Sequence, residues 1–131
     1  MRLLFRRWGR AVSARAIAPV DVVNSLDEMD FRNLAAFNAG SVGVFWSEAG
    51  GPSPWEMHPD CEEMLYVLEG EIEVEVLPAG GGNGEKTLVP CGSFIVIPQG
   101  CWHRQNMLER TKELYLTPGA TKMSHAPDPR V

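Results

Sequence analysis

Residues Gly50 to Gly70 read GGPSPWEMHPDCEEMLYVLEG, and this stretch decides the fold. It places Glu56, His58 and Glu63 on a strand, a turn and a second strand. Side chains alternate between the two faces of a strand. Glu56 and His58, two apart, therefore share one face, and Trp55 and Met57 share the other. A short turn at Pro59 and Asp60 folds Glu63 back beside them. The run that follows, Met64 to Leu68, is apolar and is expected to be buried. A carboxylate and an imidazole at the head of a buried strand are costly unless something pairs with them. A divalent metal is the candidate partner, because imidazole and carboxylate together suit first-row transition metals.

A second cluster has the same layout. Gly92 to His103 reads GSFIVIPQGCWH: a buried strand ending at Pro98, a turn through Gln99 and Gly100, and His103 early in the next strand. His103 is in phase with Cys101 and Gln105, while Trp102 points to the opposite face.

With both clusters in hand, the chain resembles the cupin superfamily, in particular its small single-domain members of the cupin 2 type. One motif of that superfamily, G-x5-H-x-H-x3,4-E-x6-G, is matched by Gly50, Glu56, His58, Glu63 and Gly70. The other, G-x5-P-x-G-x2-H-x3-N, is matched by Gly92, Pro98, Gly100, His103 and Met107. Two positions depart from the pattern. Glu56 stands where the first His is expected, and Met107 where Asn is expected, with Asn106 one position early. The resemblance implies an all-β fold, a double-stranded β-helix (jelly-roll) barrel, over a motif core of residues 41–117. It implies a metal held by His58, Glu63 and His103, with Glu56 as a candidate fourth ligand or as a general base. The metal would be Fe(II), Mn, Zn or Ni. The alternative for Glu56 is an ion pair with Arg104 or Arg110 in a metal-free pocket.

The rest of the sequence agrees with a sandwich or small barrel of many short strands divided by Gly and Pro. Strands are expected at Ser41–Glu48, Trp55–His58, Glu63–Glu69, Glu71–Leu77, Glu85–Val89, Ser93–Ile97, Trp102–Leu108 and Glu113–Thr117. Glu71 to Leu77 alternates most cleanly, with Ile72, Val74 and Val76 inward and Glu71, Glu73 and Glu75 on a solvated face. Ser93 to Ile97 is apolar on both faces and reads as a strand covered on both sides. Before these, Val20 to Asn24 reads as a short strand. Leu26, Met29, Phe31 and Leu34 are spaced for a short helix that starts at Ser25 or Asp27 and runs to Phe37. The end, from Pro118 on, reads as irregular.

Length and charge bound the remainder. A chain of 131 residues favours one domain, expected over 19–131. Residues 1–18 carry five arginines and no acid, a basic tail that is either disordered or an organellar targeting segment. The remaining residues carry seven basic and seventeen acidic side chains, net −10, which argues against nucleic acid as a partner. No apolar run is long enough to span a membrane. Cys61, Cys91 and Cys101 are an odd set without CxxC spacing, as expected in a reducing, cytoplasmic compartment, each serving as a small buried side chain.

Three functions remain open at this level. The first is a metalloenzyme acting on a small polar metabolite by dioxygenase-, isomerase- or lyase-like chemistry, with Glu56 as catalytic base. The second is a non-catalytic module that binds or senses a small ligand. The third is a structural dimer with a vestigial pocket. A homodimer is expected in each case, because an uncovered edge strand needs protection.

Overall fold

The computed structural model describes residues 14–131 apart from Pro118. Most of the expected basic tail lies outside the described residues. A short helix, α1 (Pro19–Val23), precedes ten strands: β1 (Arg32–Phe37), β2 (Gly40–Ser47), β3 (Trp55–Met57), β4 (Glu63–Glu69), β5 (Glu71–Val76), β6 (Glu85–Pro90), β7 (Phe94–Ile97), β8 (His103–Met107), β9 (Thr111–Thr117) and β10 (Lys122–Ser124). The strands form two five-stranded sheets, ordered β1-β2-β9-β4-β7 and β10-β3-β8-β5-β6. Every pairing within them is antiparallel. The result is the jelly-roll barrel that the two motifs imply.

The period-2 pattern explains the layers. Leu65 and Val67 on β4, Ile72 and Val74 on β5, Phe45 on β2 and Tyr115 on β9 turn inward and pack with Val89 and Ile97. Each such side chain contributes about 1.5–3 kcal/mol by leaving water. Within the first sheet the Tyr115 ring on β9 lies over its cross-strand partner Gly43 on β2, where a Cβ would overlap it. Gly70, which closes the first motif, turns β4 into β5 at φ 93°. A Cβ there would collide with the Arg110 carbonyl oxygen and Thr111, so the position excludes other residues on two counts.

Five expectations change. Val20 to Asn24 belongs to helix α1 and its C-cap, with Pro19 at the first turn and Val23 fully buried against Val44. The expected helix up to Phe37 is a loop followed by β1. Tertiary pairing overrides the helical spacing: β1 forms a hairpin with β2 through Asn38 at φ 53°, a conformation Asn tolerates. Phe31 stacks on Phe45 with ring centroids 4.2 Å apart. Leu34 packs instead with Val23 and Val44. Strand β7 is an edge strand, not a covered one, and leaves Phe94 61% and Val96 45% exposed. The irregular end contains β10, which pairs with β3 and covers it. Three residues are too few for an alternation to stand out. The cysteines also differ from expectation: Cys61 and Cys91 are exposed and Cys101 is half-buried, all three free thiols.

Candidate metal centre

Glu56 lies on β3 directly opposite His103 on β8. His58 follows β3 by one residue, on the same face as Glu56. Glu63 opens β4 in the other sheet, so the turn at Pro59 and Asp60 carries the chain across the barrel rather than back along one sheet. The two motif turns are tied together. The Gly100 amide donates to the His58 carbonyl at 3.0 Å, and the Gln99 side-chain amide donates to the Pro59 carbonyl at 2.9 Å. One donor atom from each of Glu56, His58, Glu63 and His103 lies within 4.8 Å of the others. All four sequence-predicted residues are therefore brought together.

The electrostatics of the cluster are unusual. His58, Glu63 and His103 are each no more than 5% exposed. Glu63 Oε1 lies 3.2 Å from His58 Nε2 and 3.1 Å from His103 Nε2. His58 Nδ1 sits 3.2 Å from the Ala120 carbonyl and 3.1 Å from Thr121 Oγ1, and His103 Nδ1 sits 3.2 Å from the Cys101 carbonyl. A carbonyl oxygen only accepts, so both rings carry a proton on Nδ1. Each Nε2 then faces the same carboxylate oxygen, either with a second proton that it donates to Glu63 or with a lone pair. Lone pair facing lone pair is repulsive unless a proton or a cation lies between them. His58 Nε2, though close to Glu63, makes no hydrogen bond of adequate geometry and is an orphaned buried polar atom. An Nδ1–H held by backbone carbonyls, with Nε2 free, is the arrangement of a metal-ligating histidine. The residues present thus fit a divalent cation.

The acids respond to this environment in opposite ways. Burial raises the Glu63 carboxyl, but the His103 and His58 imidazoles and the Thr117 hydroxyl around it outweigh burial and hold the group down at about 2. Thr117 Oγ1 donates to Glu63 Oε2 at 2.6 Å. Glu56 is shifted upward, first by burial and then by the Glu63 charge, against the pull of His103 and His58. Burial lowers His58, yet the adjacent Glu63 carboxylate wins and the net shift is upward. Two carboxylates and two imidazoles that cannot all ionise comfortably are what a divalent cation would relieve.

Among the described residues the ion-pair alternative for Glu56 finds no arginine. Arg104 Nε pairs with Glu75 at 3.0 Å and its guanidinium covers Trp55 at 4.2 Å, while Arg110 lies 3.9 Å from Glu48 and covers Trp46. The second motif departure is settled by position. Asn106 faces outward, near Glu73 at 3.5 Å, and Met107 packs against the core and exchanges backbone hydrogen bonds with Gly50.

The cluster stands at one end of a cavity of about 940 Å³ between the sheets. Phe45, Leu65, Tyr115 and Met107 supply apolar walls, and half-buried Gln105 and buried Glu113 supply polar ones. Sequence reasoning missed Thr117, Thr121 and the Ala120 carbonyl, which orient Glu63 and His58 from the C-terminal part of the chain. It also missed Glu113, although an acid in phase with Tyr115 on β9 was a legible signal.

The family described as Cupin domain (Cupin_2) matches residues 44–110. The chain is 39% identical over 56 residues to germin-like protein subfamily 2 member 2 of Arabidopsis thaliana, covering 43% of this chain and 25% of the plant protein. It therefore spans only a quarter of that relative's length. Among solved structures it is similar to a cupin-2 domain containing protein from Shewanella frigidimarina, with a TM-score of 0.66, 22% identity and coverage of 79% of this chain and 94% of the other. It also resembles hydroquinone 1,2-dioxygenase PnpCD, solved in complex with Cd2+ and 4-hydroxybenzonitrile, with a TM-score of 0.63, 18% identity and coverage of 88% and 83%. At those identities the likeness is one of fold.

Proposed function

The chain belongs to the cupin domain family, and from that premise we propose that it is a metal-dependent enzyme acting on a small molecule held in the cavity between its two sheets. His58, Glu63 and His103 are the proposed ligands of the metal. The observation that carries this reading is the pair of Nε2 atoms converging on one oxygen of Glu63 while both Nδ1 atoms are occupied by backbone carbonyls. Two imidazoles and a carboxylate suit Fe(II), Mn, Zn or Ni. Such an ion, when bound, supplies Lewis acidity and open positions for ligand oxygen.

The protein's own residues do the rest. The Ala120 and Cys101 carbonyls fix both imidazole tautomers, and Thr117 fixes the rotation of the Glu63 carboxylate. Glu56, half-buried and bordering the cavity, is the proposed fourth donor and the group that takes a proton from the bound molecule. Its upward shift places it closer to the range in which a carboxylate works as a base. The apolar walls exclude water from the molecule being processed. The hydroquinone 1,2-dioxygenase with the same fold supports an oxidative reaction as the first chemistry to try.

The test is metal analysis of protein purified without chelator, followed by oxygen uptake across a panel of small phenols and acids with added Fe(II). One equivalent of transition metal, lost in His58→Ala and His103→Ala, is expected. Absence of stoichiometric metal sinks the reading. Metal and tight ligand binding without turnover would favour a sensing module instead.

We further propose a cytoplasmic homodimer. Edge strand β7 presents Phe94 and Val96 to solvent with unpaired backbone beside them, and the three free thiols suit a reducing compartment. Among the described residues no helix is long and apolar enough to cross a membrane. Light scattering of the wild type and of Phe94→Glu at micromolar concentration checks the dimer.

A further inference from the structure

One buried polar pair lies outside the four-residue cluster. Glu113 sits in the middle of β9, fully buried, opposite Phe45 on β2 and Val67 on β4. Its Oε1 accepts a hydrogen bond from Gln105 Nε2 at 3.3 Å, across the barrel from β8 of the other sheet. Glu113 Oε2 and Gln105 Oε1 are buried without a partner. Both residues border the same cavity as Glu63 and His103. Each unsatisfied buried polar atom costs about 1–3 kcal/mol. Two of them on touching residues beside an open cavity are hard to explain as a device for stability, because an apolar pair would fill the space better. Burial pushes the Glu113 carboxyl up to about 8, against the Gln105 hydrogen bond and with help from the charges of Glu63 and Glu56. At neutral pH the pair therefore offers one O–H donor and one amide acceptor and carries no charge.

Resting on the reading of this cavity as the ligand site, we infer that Glu113 and Gln105 are its specificity subsite, a donor–acceptor pair that takes the far end of an uncharged aromatic ligand through a carboxamide or hydroxyl group. Three further observations define that ligand. Gln105 is two residues beyond His103 on β8, a distance of about 7 Å along a strand, which one six-membered ring with polar groups at its opposite ends would span. Phe45 and Tyr115 flank the space, and Phe31 stacks behind Phe45, which favours a flat apolar body. The charge lining opposes an anion. Glu28, Glu48, Glu56 and Glu63 border the cavity. Among the described residues the only Lys or Arg bordering it is Arg104, already engaged by Glu75 and Trp55.

The matched probes are 4-hydroxybenzamide and 4-hydroxybenzoate, of nearly the same shape and differing by one charge. Binding to metal-loaded protein is measured by calorimetry at pH 6.5, with metal content determined in parallel. The amide is expected to bind at least tenfold more tightly than the carboxylate. Glu113→Leu and Gln105→Leu should each weaken the amide at least tenfold with metal content unchanged. Glu113→Gln, which keeps a donor and an acceptor, should stay within threefold of the wild type, and its melting curve shows that the fold persists. Equal binding of the two probes, no binding of the amide to metal-loaded protein, or retained affinity in both leucine variants overturns the inference and leaves the metal reading standing. A wild type that holds no metal overturns the reading beneath it.

Discussion

Glu63 and Glu113 are the same residue type, both buried between the same two sheets, yet they are driven in opposite directions. Glu63 opens β4 with two imidazoles and a hydroxyl around it and is held down at about 2. Glu113 lies on β9 towards the other end of the cavity, with one amide for company, and is pushed up to about 8. Burial raises both; the partners decide the outcome. The barrel therefore has an end organised for positive charge and an interior that stays neutral. This division supports a cation at one end and an uncharged ligand group at the other.

The comparison breaks most sharply at its charged end. Removing a ligand, as in Glu63→Gln or His103→Ala, should lower metal affinity by two orders of magnitude or more, read by competition with a chelating dye. Glu56→Gln should cost about tenfold, because a fourth donor is lost while the three-ligand core remains. Loss of all binding in Glu56→Gln would make Glu56 a member of that core.

The two glutamates also predict opposite pH profiles for metal-free protein. Glu63, depressed in the folded state, contributes stability that is present above about pH 4.5 and lost as pH falls towards 2. Glu113, raised in the folded state, keeps its proton while the unfolded chain has lost it, so stability falls as pH rises from about 4.5 to 8. Glu113→Gln should flatten that decline and stabilise the protein at pH 8 by on the order of 3 kcal/mol. Denaturant titrations at pH 5 and 8 measure it, and an unchanged slope would mean that Glu113 is ionised in the fold. His58 is raised, so its share is present below about pH 6.5 and fades as pH rises through its folded value. Metal binding needs the neutral ring, and metal affinity should accordingly climb between pH 6 and 8.

The smallest effect comes from a residue that orients the metal end. Thr117→Val removes the 2.6 Å hydrogen bond that orients Glu63. It should destabilise the metal-free protein by about 1–2 kcal/mol and weaken metal by less than Glu56→Gln does. The same measurements, urea midpoint and chelator competition, apply.

Much of the metal end was legible beforehand. Glu56, His58 and Glu63 sit within eight consecutive residues, and His103 follows a second turn of the same design. Local spacing and alternation suffice for features of that range. The stretch up to Phe37 misleads because a helical spacing of Leu26, Met29, Phe31 and Leu34 competes with strand pairing, and pairing with β2 is invisible without the partner. β7 was taken as covered because its composition is apolar on both faces; its place at the sheet edge is a property of topology.

By itself, the sequence determined the β-rich class, the two turn-bounded motifs and the identity of the four clustered side chains, because strand periodicity and turn chemistry are local. Only the tertiary structure decided that Glu63 comes from the sheet opposite Glu56, His58 and His103, that Ala120 and Thr121 orient His58, and that Gln105 meets Glu113 across the barrel. Those contacts join residues up to 63 positions apart. Which partners a buried carboxyl meets, and hence its charge, is set by how the two sheets close on each other.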